Sequence, residues 1–91
     1  MLLEEINKII EERKTYGQRK EVTKEQAYLC IWSNAKAKWY IYSTGKGTIT
    51  LDANEILIPK KLVNKKDLEY IFDNKLVNVL PLYKNSFEYK K

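Results

Sequence analysis

The sequence predicts an α+β domain: an N-terminal helix, a mostly antiparallel sheet of four to five strands containing a three-stranded meander, and a second helix near the C-terminus. Three observations point there. Leu2, Leu3, Ile6, Ile9 and Ile10 recur at helical spacing, short strand-favouring runs separated by turn signals fill the middle of the chain, and Asn64 opens a second helical pattern. At 91 residues the chain has room for one core, so 1–91 is read as a single small domain.

Stepped at about 100° per residue, the first stripe spans an arc of roughly 120°, with Glu4, Lys8, Glu11 and Glu12 on the opposite side. Glu4 and Lys8 stand in the favoured i,i+4 order, and Gly17 after Tyr16 supplies a stop, so the helix is expected to end near residue 15. Two readings compete over 23–36. Thr23-Lys24-Glu25-Gln26 has the form of a capping box, and Tyr28, Trp32, Ala35 and Trp39 recur at helical spacing. Leu29 and Cys30 fall off that stripe, however, and Tyr28–Trp32 is a short apolar run followed by a Ser33-Asn34 turn signal, which favours a strand. Trp39–Ser43 and Thr48–Leu51 flank Thr44-Gly45-Lys46-Gly47, where glycine at the first central position suits a tight type II′ hairpin. That hairpin would pair Tyr42 with Ile49 and Tyr40 with Leu51. Glu55–Ile58 reads as a further strand with Pro59 at its end. Asn64 is an N-cap with Asp67 at N3, Val63 and Leu68 form a hydrophobic staple, and Leu68, Ile71 and Phe72 make the buried stripe. Asn74 is expected to end this helix in a left-handed conformation, Leu76–Leu82 to form a last strand interrupted by Pro81, and the tail 83–91 to fray.

With no histidine and a single cysteine, the chain cannot build a histidine-based dyad or triad, a zinc finger or an internal disulfide. No catalytic residue, metal site or cofactor is assigned, and Cys30 reads as a small core residue. Thr44-Gly45-Lys46-Gly47-Thr48 lacks the spacing of a phosphate-binding P-loop. The pairs Glu69/Asp73 and Asp52/Glu55 lack the further ligands or basic partner of a carboxylate site. Leu2 and Leu3 run at once into Glu4 and Glu5, unlike a secretion signal, and the longest apolar run, Ala27–Trp32, is far too short to span a bilayer. A cytoplasmic protein without membrane contact is expected.

The net charge of +5 suggests acidic partners, although a composition rich in lysine, isoleucine, asparagine and tyrosine also follows from AT-rich codons. Only Arg13 and Arg19 among 17 basic residues carry the bidentate fork that reads guanine, which disfavours sequence-specific duplex recognition. Gln26–Leu51 contains no acidic residue, and strand alternation places Lys36, Lys38, Tyr40 and Tyr42 on one face, with Lys46 nearby in the turn. Rings on which bases stack, interleaved with ammoniums that follow phosphates, suit single-stranded nucleic acid or a nucleotide. The competing reading turns Tyr40, Tyr42, Ile49 and Leu51 into the core. Lys60, Lys61, Lys65 and Lys66 crowd the start of the second helix, where cations oppose the macrodipole and an anion would relieve the mismatch. Arg13, Lys14, Arg19 and Lys20 form a third basic cluster, read as solvated surface. The expected function is thus a non-enzymatic binding protein for nucleic acid or a nucleotide-like phosphate ligand. The alternative is a small protein-binding regulator that docks on and blocks a larger, nucleic-acid-handling machine.

Overall fold

The computed structural model describes residues 2–16, 19–33 and 35–77. The element order is α1 (Leu2–Tyr16), β1 (Lys20–Lys24), β2 (Ala27–Ser33), β3 (Lys38–Thr44), β4 (Gly47–Leu51), β5 (Glu55–Pro59) and α2 (Lys65–Asp73). All strand pairs are antiparallel, in a two-stranded sheet β1-β4 and a three-stranded sheet β3-β2-β5. The α+β class and the helix–strands–helix order follow the sequence, and 27–33 is a strand rather than a helix.

The turn is not where the glycines suggested. β2 and β3 form the hairpin, connected through 34–37, and Tyr42 pairs with Leu29 and Tyr40 with Ile31 rather than with Ile49 and Leu51. Ile49 and Leu51 pair instead with Val22 and Lys20 of β1, a strand the sequence reading did not anticipate. From Lys24↔Gly47 to Ala27↔Thr44 each strand advances by three residues, so one register runs through both sheets. The two sheets are therefore a single ribbon bent at Glu25–Gln26 and Gly45–Lys46. Gly47, where the ribbon leaves the bend, has φ +144°, a region closed to most L side chains.

The inner face of the three-stranded sheet meets the helices. Ile6 and Ile10 of α1 and Leu68, Ile71 and Phe72 of α2 close over Cys30, Ile56 and Ile58 in one cluster, with Val63 and Val77 at its margin. Trp39 packs at 5.3 Å on Phe72 and at 5.6 Å, edge to face, on its cross-strand partner Trp32. The helical stripe of α1 continues from Ile6 and Ile10 to Arg13, which is only 6% exposed and not the solvated residue expected. Its Nε donates to the Glu55 carbonyl at 2.8 Å, and Nη2 donates to the Asp52 and Leu51 carbonyls. Burial lowers the Arg13 pKa from its usual value, and the neighbouring Glu55 and Asp52 charges push it back up. The end of α1 is thereby fastened to the β4–β5 turn. That turn is tied to β2 by Asn54 Nδ2 donating to the Trp32 carbonyl at 2.8 Å and Trp32 N–H donating to the Asn54 carbonyl.

Asn64 caps α2 as expected, its Oδ1 accepting from Asp67 N–H at 2.8 Å. The left-handed residue beyond the helix is Lys75 (φ 54°), while Asn74 stays at φ −99°. Of the expected last strand, Leu76 and Val77 are not extended in a sheet, and its remainder and the tail 83–91 lie outside the described residues.

Two substitutions separate strain from crowding at the bend. Gly47→Ala is expected to cost about 1–2 kcal/mol through its φ alone, whereas Gly45→Ala, with open space around its Cβ, stays within about 0.5 kcal/mol of the parent, both read by urea unfolding. Cys30 offers a second test. Burial pushes its thiol well above the ordinary 9.0, so the folded chain keeps a proton that the unfolded chain releases above that pH. Stability is then unaffected below about pH 9 and falls above it, by about 1.4 kcal/mol per pH unit. Cys30→Ala, though less stable from lost packing, should lack that share of the alkaline slope.

Candidate functional site

The bend brings together residues that are distant in sequence. Lys60 N–H donates to the Gln26 carbonyl at 3.2 Å, holding the end of β5 against the fold of the ribbon. Around that junction lies a groove of about 760 Å³, rimmed by Lys24, Lys46, Lys60 and Lys61 and floored by Ala27, Leu57 and Pro59. Glu25 is the one carboxylate in its lining, 3.9 Å from Lys46 Nζ, and both partners of that pair are largely exposed. Such a pair adds little stability and yields readily to a competing anion. Lys24 and Lys60 are half-buried, and Lys60 Nζ sits 5.7 Å from the centre of the Tyr28 ring. The groove thus combines an apolar floor with four lysines in its lining, which suits a ligand with an anionic part and a planar or apolar part.

The β3 row keeps the predicted face. Tyr40 and Tyr42 point away from the helices, Tyr42 is 52% exposed, and Lys38 Nζ stands 5.1 Å from the Tyr40 ring centre. Neither tyrosine belongs to the core, whereas Trp39 and Ile41 pack against it. Tyr42, Leu29 and Leu57 are cross-strand neighbours in one row, so the exposed ring shares its face with the groove floor, about 10 Å away at two strand spacings.

The nine sequence-nominated residues therefore divide. Lys46, Lys60 and Lys61 meet at the groove, Tyr42 and Tyr40 share the face that leads to it, and Lys38 follows them along β3. Lys65 lines a separate crevice of about 270 Å³ between α2 and β3 with Lys38, Tyr40, Glu69 and Asp73. Lys36 does not lie on the strand face: it is exposed in the β2–β3 turn, its N–H donating to Ser33 Oγ. Lys66 is exposed on the first turn of α2, an end that Asn64 and Asp67 already cap. Lys24 is not among the nominated residues because the sequence reading places no strand over 20–24. Its signal lay in the alternation of Lys20, Val22 and Lys24, half-buried where Glu21 and Thr23 are exposed.

Among the described residues no group of three or more histidine, cysteine, aspartate or glutamate side chains is placed to hold a metal, and no helix is long and apolar enough to cross a membrane. Compared with protein-family models, curated proteins and solved structures, the chain matches none.

Proposed function

We propose that the chain is a non-enzymatic binding protein that holds single-stranded nucleic acid, or a nucleotide-like phosphate ligand, in the lysine-rimmed groove at the ribbon bend. The observation behind this reading is the convergence of Lys24, Lys46, Lys60 and Lys61, from three separate stretches of sequence, on one apolar floor. Phosphates lie against the ammoniums, which attract charge without fixing base identity. A base rests on Leu57 and Pro59, and the next base along a strand reaches Tyr42. The groove's rim lacks an arginine fork for reading base edges, which disfavours sequence-specific duplex recognition. The net charge of +5 adds long-range attraction for the same ligand.

Fluorescence anisotropy with a labelled 15-mer of deoxythymidine tests this. Affinity should fall steeply with salt, and Lys60→Gln with Lys61→Gln should reduce the log–log salt slope by about 1.4, at roughly 0.7 per phosphate contact. Lys36→Gln should leave the affinity close to that of the parent. Tyr42→Ala should weaken binding by about 5- to 150-fold, the equivalent of one stacked base at about 1–3 kcal/mol. Binding that is insensitive to salt and to the lysine pair would remove the groove from the explanation. Competition by a mononucleotide at equal phosphate concentration would assign the ligand to the nucleotide class.

A further inference from the structure

The three-stranded sheet has a second face, turned away from the helices. Alternation puts Leu29 and Ile31 of β2, Tyr40 and Tyr42 of β3 and Leu57 of β5 on it, because each pairs in register with its neighbour across the sheet. None of the five belongs to the core cluster or packs against it among the described residues, and Tyr42 is the most open of them at 52% exposure. Among the strand residues of this face the one carboxylate is Glu55, and it is already engaged: its Oε1 accepts from Asp52 N–H at 2.9 Å. Glu69 and Asp73 belong to α2, on the opposite side of the sheet, where they line the crevice that also reaches Lys38 and Tyr40.

Cations stand at both ends of this face. Thr44 pairs with Ala27 of the groove floor, and from there β3 presents Tyr42, Tyr40 and Lys38 in turn, over about 20 Å at roughly 3.3 Å per residue. Lys38 Nζ lies 5.1 Å from the Tyr40 ring centre, so charge and ring are offered together at the far end. A free nucleotide has one phosphate group and one base, and in the groove it would leave Tyr40 and Lys38 without contact. The apolar surface of a protein would cover the rings and bring no anion to the lysines at either end. A single strand repeats phosphate and base along its length, and so meets cations at both ends with rings between them. At the rise of about 3.4 Å per nucleotide of a stacked strand, the row takes about six nucleotides, and fewer when the strand is stretched.

We propose that the groove is one end of a longer track, and that its ligand is a single strand of about four to six nucleotides running along β3 to Lys38. The inference rests on the groove reading and narrows it from nucleotide-like ligands to oligonucleotides. Tyr40 stacks a base beyond the one at Tyr42, and Lys38 pairs with a phosphate beyond those at the groove.

Competition against a labelled 15-mer of deoxythymidine by unlabelled oligodeoxythymidines of two, four, six and eight nucleotides tests this on the full chain. Affinity should climb by about tenfold or more from the dimer to the hexamer, as one further base stacks, and rise only slightly to the octamer. Lys38→Gln should lower the log–log salt slope for the octamer by about 0.7 and leave the dimer unaffected. Tyr40→Ala should weaken the octamer by about 5- to 150-fold and spare the dimer, while Tyr40→Phe, which keeps the ring, stays near the parent. A dimer that binds as tightly as the octamer overturns the track and leaves the groove standing. So do Lys38 and Tyr40 variants that bind the octamer like the parent or weaken both lengths alike. Octamer binding indifferent to Lys60→Gln with Lys61→Gln removes the groove itself, and the track with it.

Discussion

A two-stranded ribbon that keeps one register cannot belong to two sheets unless it bends, and most of what this molecule offers to a ligand follows from where it does so. At Glu25–Gln26 and Gly45–Lys46 both strands turn without inserting a residue, so side chains before and after the bend keep their pairing while the sheet direction changes. The β2–β5 register, continued one step past Ala27↔Pro59, sets Lys60 beside Gln26 and so brings Lys60 and Lys61 to the bend that Lys24 and Lys46 flank. The Gln26 carbonyl takes the Lys60 N–H, and all four lysines line the one groove. Beyond the bend β1 pairs with β4 and not with β5.

The bend is held at its other end by Arg13. A leucine at that position would fill the helical stripe equally well, but the Leu51, Asp52 and Glu55 carbonyls of the β4–β5 turn would lose the bonds that the guanidinium donates. A planar guanidinium reaches all three acceptors at once, which a lysine with its compact ammonium does not match. Removing the charge from water opposes this, and that opposition is why burial heads the causes of its lowered pKa. The charge-assisted bonds and the nearby Asp52 and Glu55 carboxylates offset it. The result couples α1 to the start of β5.

Local patterns made the helices legible and left the bend hidden. The stripe of α1 and the Asn64 cap are encoded by neighbours within a turn or two, so period and capping chemistry sufficed for both. Strand partners are chosen over longer distances, and Thr44-Gly45-Lys46-Gly47 shows how that choice misleads. Two glycines between strand-like runs suit a tight hairpin, and they suit a bend in a continuing ribbon equally; only the pairing of β1 with β4 decides between them. Arg13 was misplaced for a related reason. Its charge suggested surface, yet its position three residues after Ile10 put it on the buried face. Of the site, the identity of the basic residues was legible, as was the outward face of Tyr40 and Tyr42, because alternation along β3 does not depend on which strand lies beside it.

Codon bias scatters lysine over a surface without regard to what lies beneath, so lysine number alone carries no functional argument. Position relative to apolar surface does. Lys36 and Lys66 stand exposed on a turn and a helix end, as undirected lysines do. Lys24 and Lys60 are instead half-buried, Lys60 has Tyr28 under its ammonium, and both border a floor of Ala27, Leu57 and Pro59 that no core side chain fills. Four lysines lining one concavity, with a single carboxylate among them, leave an excess of positive charge there. An anion with a flat apolar part removes that excess and covers the floor in the same step.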